Sequence, residues 1–241
     1  MGIFNSKQII DLTAPLNEST PVIKLPNDFN QAWPFSRTLI SQYDERGEAY
    51  WYNISLSEHT GTHLDAPVHW KSGKKGVDVA SIPVRHLLAP AVVIDMSYEV
   101  SKDSNFLLQR EHVEAWIGLN GRLPEHGWLL YRTGWDQYGN DSERFLNQRN
   151  TPGVSAACAK WLSEGTSLVG VGVETVGTDA GKAATFIPPF PMHYFFLGKN
   201  KYGLTQLRNL DKLPTNGFDI IISPLPITGG TGSPCRVFAV Y

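Results

Sequence analysis

Cysteine is almost missing from this chain, which has Cys158 and Cys235 as its two thiols in 241 residues. So few thiols argue against a secreted disulfide scaffold, their spacing is not that of a zinc ribbon, and a reducing cytosolic setting fits best. An excess of one charge is also lacking. The formal net charge of -2 leaves no basic patch to hold nucleic acid and no acidic tail. No segment approaches the ~20 apolar residues needed to cross a bilayer. The N-terminus shows no basic region followed by an apolar run, so neither a signal peptide nor a membrane partner is expected. Met1-Gly2 with Ser6 matches the short myristoylation pattern, but so short a match arises readily by coincidence. Internal repeats, low-complexity tracts and linkers are absent as well. What remains, 41 % hydrophobic and 18 % charged residues, describes a globular protein able to bury a sizeable core, expected as one domain over residues 1–241.

The order of apolar runs gives the fold class. Gln8 to Thr13 (QIIDLT) reads as a first strand, and Pro15 to Pro34 has too many breakers for a long helix, so it should wrap over a surface. Thr38 to Tyr43 and Trp51 to Ser57 are β-rich around a turn containing Gly47, which predicts a hairpin. Ala91 to Ser97, Trp128 to Thr133 and Ser167 to Val173 have the continuous apolar character of buried strands. Between them, Glu111 to Leu119 and Val154 to Ser163 carry helical spacing, the second with Ala156, Ala157, Trp161 and Leu162 directed inward. Strands near Phe218 to Ser223 and Arg236 to Tyr241 flank a Gly-rich turn, TGGTGSP. That turn lacks the Lys-Ser/Thr ending of a phosphate loop and reads as structural. Alternating strands and helices predict an α/β architecture.

Against this background one stretch stands out. Glu58 to Trp70 reads EHTGTHLDAPVHW and holds three of the seven histidines, His59, His63 and His69, with Asp65 between the last two. Imidazole and carboxylate are the usual ligands of zinc, manganese and iron, and two histidines with one carboxylate leave positions for water or substrate. On a straight strand His59 and His63 would stand about 13 Å apart. On one turn of helix Asp65 would point away, and Pro67 disfavours helix at Ala66. A kink near Gly61 therefore has to bring His59 back toward His63 and Asp65, which share one face of a short extended piece.

Other polar groups are less defined. Glu174 and Asp179 follow a predicted strand, where α/β proteins collect function, and each reads equally as an acceptor behind the site or as a turn residue. His193 is the one histidine of the later chain that can join the cluster. Trp33 and Phe35, around Pro34, are either core or the walls of a pocket for a flat ligand.

The run His59-Thr-Gly-Thr-His63-Leu-Asp65-Ala-Pro-Val-His69 resembles the signature of the cyclase-type metal-dependent hydrolases, a family that includes bacterial kynurenine formamidase and isatin hydrolase. Tyr43-Asp-Glu-Arg-Gly47, Ile82-Pro-Val-Arg85, Glu111-His-Val-Glu-Ala-Trp116, Gly172 to Gly181, Asn209 to Pro214 and Gly232-Ser-Pro234 with Arg236 resemble the isatin hydrolase branch, so the likeness runs almost from end to end. It implies a swivelling β/α fold, a mixed sheet or barrel flanked by helices. It implies one divalent metal on His59, His63 and Asp65, Mn2+ by the isatin hydrolase branch or Zn2+ by the formamidases, with His69 as acid/base residue. It further implies a homodimer or higher homo-oligomer whose neighbouring subunit helps wall the site.

One departure bears on the metal count. Where the formamidase branch completes a second metal site with a glutamate after the histidine matching His193, this chain has Thr205, followed by Gln206. The expected activity is ring-opening hydrolysis of a small aromatic cyclic amide, isatin to isatinate, with His69 moving the proton, His193 assisting and Trp33 and Phe35 as pocket walls. Formylkynurenine or lactone hydrolysis is the alternative within the chemistry, and noncatalytic metal or small-molecule binding the alternative outside it.

Overall fold

The computed structural model describes residues 7–45 and 47–241; the Met1-Gly2-Ser6 pattern and Arg46 lie outside the described residues. Strands occur in chain order as β1 (Ile9–Asp11), β2 (Ser36–Ser41), β3 (Trp51–Ser55), β4 (His63–Asp65), β5 (Leu88–Asp95), β6 (Leu107–Leu108), β7 (Trp128–Arg132), β8 (Gly153–Val154), β9 (Gly170–Val173), β10 (Tyr202–Thr205), β11 (Phe218–Pro224) and β12 (Gly232–Val240). The helices are α1 (Val84–Leu87), α2 (Ser97–Lys102), α3 (Arg110–Asn120), α4 (Ser142–Leu146), α5 (Ala156–Gly165) and α6 (Pro191–Phe196).

The main sheet runs β1-β12-β11-β5-β7-β9-β10-β4, and β4 also pairs with β12. That last pairing closes a barrel. The neighbours β5, β7, β9 and β10 are parallel, while β4, β11 and β12 join antiparallel. Strand alternation separates two cores. Leu64, Val93, Leu130 and Leu204 belong to one cluster with Leu12, Trp128 and Tyr202 inside the barrel, whereas Val92, Leu129 and Val171 belong to a second under α3, α5 and α6. The continuous apolar character of β5, β7 and β9 is explained by burial on both faces.

The expected elements are found, with shifts at two places. Ser155 accepts a hydrogen bond from Cys158 N and caps α5, so the helix begins at Ala156. This phase turns Cys158, Ala159, Leu162 and Ser163 inward and leaves Ala157 exposed, which corrects the inward assignment of Ala157. Strand β12 begins at Gly232, earlier than expected, and takes the end of the Gly-rich turn into the sheet beside Asp65. The hairpin β2–β3 forms its own two-stranded sheet, with Leu39, Trp51 and Ile54 exposed. Among the described residues no helix is long and apolar enough to cross a membrane.

Candidate active site

Strand β4 places His63 and Asp65 on the face opposite Leu64, and both are buried. Gly61 takes φ +67°, the left-handed conformation open to glycine, and this is the bend that returns His59 to the strand. His59 Nδ1 lies 2.7 Å from Asp65 Oδ1, and His63 Nε2 lies 3.3 Å from the same oxygen. Room for the His59 ring comes from the neighbouring strand. A Cβ on Gly232 would fall 2.4 Å from His59 Cε1, so a side chain here would collide with the imidazole.

The hydrogen-bond partners fix which nitrogens carry protons. Thr231 Oγ1 donates to Glu58 Oε2 (2.6 Å), so it accepts from His59 Nε2 at 2.9 Å. Neutral His59 therefore turns an unprotonated Nδ1 toward Asp65. His63 Nδ1 donates to the Gly61 carbonyl (2.8 Å), which leaves Nε2 unprotonated toward the same carboxylate. Two lone-pair nitrogens and a carboxylate facing one another repel unless a cation joins them, and tying the second nitrogen of each imidazole to a protein acceptor is the habit of metal-binding histidines. The donor set fits a divalent ion.

His69 ends the 3-10 turn Pro67–His69 and stacks against His59 with ring centroids 4.0 Å apart. His59, Asp65 and His69 bring one donor atom each within 4.8 Å of one another, the one such group of three among the described residues. His69 differs from the other histidines here, since neither of its ring nitrogens meets a hydrogen-bond partner among the described residues. Burial lowers its pKa to about 3, Asp65 opposing and the neighbouring histidines reinforcing, so the ring is neutral. His193, on α6, completes the group: Nε2 lies 4.0 Å from Asp65 Oδ2 and Nδ1 lies 2.5 Å from Asp179 Oδ2. Burial opposes its charged form, but the Asp179 bond and the charges of Asp179 and Asp65 raise its pKa.

Aromatic rings cover one side of this cluster. Trp70 sits 4.9 Å from His193 and 5.4 Å from Phe190 between centroids. Neither Trp70 nor Phe190 was apparent from sequence, because nothing distinguishes them locally from core aromatics. Of the two aromatics that were, Trp33 is 69 % exposed and Phe35 is buried, and neither has a ring contact with the histidines. Trp33 is nonetheless tied near the site, its carbonyl accepting from Ser57 N (3.2 Å). The Pro-rich segment before it reaches the end of β10, where Pro21 O accepts from Gln206 Nε2 (3.3 Å).

Thr205 pairs across from His63, its Oγ1 2.9 Å from Nδ1 and 3.2 Å from Nε2. Glu174 is buried after β9, accepting on one oxygen from Thr133 N (2.7 Å), Thr133 Oγ1 (2.8 Å) and Trp135 N (3.2 Å), none of them a residue of the histidine cluster. Thr231 and Glu58, which orient His59, had no signal beyond their places in a Gly-rich turn and beside the first histidine.

Comparison with known proteins agrees with this geometry. Residues 10–180 match the Cyclase family model. Isatin hydrolase of Roseibium aggregatum is 39 % identical over 97 % of this chain and 91 % of its own length. Kynurenine formamidase of Bacillus cereus is 30 % identical over 94 % of each chain. The crystal structure of an isatin hydrolase bound to the product analogue thioisatinate superposes with a TM-score of 0.95 at 37 % identity, covering 98 % of this chain and 92 % of that one. The histidines and aspartate on and beside β4 thus sit within a likeness that spans nearly the whole sequence, and the chain belongs to the Cyclase family.

Proposed function

We propose that this protein is a metal-dependent hydrolase that opens a small aromatic cyclic amide, isatin, to isatinate. The observation that carries the reading is the proton arrangement. His59 and His63 each present an unprotonated nitrogen to Asp65, while both ring nitrogens of His69 beside them lack a partner among the described residues. His59, His63 and Asp65 would hold one divalent ion, and the unanchored His69 is left for proton transfer despite its proximity. These nitrogen and oxygen donors accept Mn2+, our first assignment, or Zn2+. Thr205, having no carboxylate, supports a single ion. When bound, the ion supplies acidity to water and polarises a carbonyl, bringing the pKa of water from about 15.7 toward about 7.

The side chains account for the remaining steps. Water adds its oxygen to the lactam carbonyl carbon, and His69 takes the water proton. His193 in its charged form, with Nδ1 donating to Asp179, faces the same space and donates from Nε2 to the oxygen that gains negative charge. The carbon–nitrogen bond then breaks, and His69 returns its proton to the leaving nitrogen, giving the arylamine and a carboxylic acid, which loses the second water proton to solvent and becomes the carboxylate of isatinate. Trp70 and Phe190 flank the histidines as an apolar wall for a flat ring. Trp33 and Phe35 contribute to that wall in the assembled oligomer. The exposed aromatic and aliphatic side chains of the β2–β3 arm, Trp51 at 56 % and Ile54 at 60 %, support a face covered by a second copy.

The test is an isatin ring-opening assay on chelated protein, repeated after adding Mn2+ or Zn2+, with formylkynurenine and a lactone in parallel. Activity on isatin that disappears with chelation and returns with metal is expected. Equal rates in all three states would end the metal reading, and hydrolysis of formylkynurenine with isatin untouched would move the assignment to the formamidases.

A further inference from the structure

Helix α6 enters the site with no cap of its own. Phe190 precedes it with φ +52°, Pro191 opens it, and no side chain from the residue before the helix bonds its first amides. A six-residue helix has little intrinsic stability, and its first N–H groups need acceptors from elsewhere. They find them on Asp179, in the loop that follows β9. Asp179 Oδ1 accepts from Met192 N (2.8 Å), and Oδ2 accepts from His193 N (3.1 Å).

Capping accounts for those two bonds and no more. The same Oδ2 also accepts from the His193 ring at Nδ1, 2.5 Å away, and both partners are largely enclosed, with side-chain exposures of 14 % for His193 and 5 % for Asp179. One buried carboxylate therefore grips both the backbone and the side chain of His193. The ring is left no freedom to swing away, and Nδ1 is fixed as the nitrogen turned from the site. Nε2 is thereby directed toward Asp65 Oδ2, with Trp70 and His69 beside the ring.

We propose that Asp179 is a positioning residue for the reaction, holding the His193 ring in the one orientation that presents Nε2 to the substrate. The proposal rests on the role given to His193 above. Asp179→Asn is the discriminating change. Its carbonyl oxygen can still accept from Met192 N, but its amide turns a donor toward the Nδ1–H from which a carboxylate had accepted, and so breaks the bond that holds the ring. Asp179→Ser keeps a capping oxygen yet is too short to reach the ring, and it serves where the asparagine variant does not fold.

For either variant the expectation is kcat on isatin lower by about 10- to 100-fold, the range for residues that orient a functional histidine. KM should stay within about twofold and metal content should be unchanged, since the substrate wall and the His59–His63–Asp65 set are untouched. The same change made in a His193→Gln background should have no further effect on kcat, because its only route to the reaction is gone. A merely structural role would lower kcat by the same factor in both backgrounds, and that result, or an unaltered kcat, overturns the proposal. Full activity in His193→Gln alone would instead overturn the role of His193, a separate failure.

Discussion

Glu174 offers a measurement that is independent of metal and substrate. Its carboxyl is 1 % exposed and is raised from 4.5 to about 7, first by burial and then by the charge of Asp136, against the hydrogen bonds from Thr133 and Trp135. In the unfolded chain the group ionises near 4.5, so between there and about 7 the folded protein binds more protons than the unfolded one. The stability linked to Glu174 is therefore fully present below pH 4.5 and is lost as pH rises through about 7. At about 1.4 kcal/mol per pH unit, that gap comes to about 3 kcal/mol. Glu174→Gln removes the titration and keeps a carbonyl oxygen for the three donors. In urea denaturation with chelator present throughout, the wild type should lose about 2.5 kcal/mol relative to the variant between pH 5 and pH 8, the rest of the change lying below pH 5. The difference cancels the other titrating groups, which both proteins share. A wild-type-to-variant difference that stays flat across this range would refute the assignment of a buried, proton-holding carboxyl.

Further outcomes follow from the site. His69→Ala should retain its metal by elemental analysis while kcat on isatin falls by about 100-fold or more; loss of metal together with activity would make His69 a ligand. Thr231→Val removes the acceptor of the His59 Nε2 proton and should weaken metal affinity by about 10- to 100-fold in a competition titration, with Thr231→Ser close to wild type. Leu64→Ala, at a fully buried position between His63 and Asp65, should cost about 2–5 kcal/mol by denaturant unfolding through the cavity it leaves in the barrel. Sedimentation should show a dimer or larger assembly, and replacing Trp51 and Ile54 with charged residues should dissociate it.

The sequence made the barrel strands and the metal-binding stretch legible for different reasons. Buried strands such as Ala91 to Ser97 are apolar throughout because both faces are covered, and that signal survives without any partner being known. The bend at Gly61 was legible because His59, His63 and Asp65 cannot meet at one point on any regular element. Closure of the sheet was not, since it depends on β12 reaching β4, a pairing set by residues 232–234 opposite 63–65 that leave no local trace. The same long-range event carries Thr231 to His59 and converts a turn that reads as structural into part of the site. Ala157 shows a local failure of another kind: with several small apolar residues in one helix, the cap at Ser155 and not the apolar pattern decided which of them faces inward.

The arrangement of acceptors explains how adjacent histidines with the same intrinsic chemistry take different parts. His59 is tied through Thr231 to Glu58, His63 to a backbone carbonyl, and His193 to Asp179, and in each case the tied nitrogen points away from Asp65. His69 alone is held only by ring packing and the turn it ends. An imidazole that must hold an ion gains from a fixed tautomer, whereas one that must take a proton and give it back at a different atom gains from having both nitrogens free. The division of labour is thus written less in the histidines than in what stands behind each of them. Those partners come from the loop before β4, the end of the Gly-rich turn and the loop after β9. For this reason the stretch from Glu58 to Trp70 supplies the donors but does not by itself constitute the site.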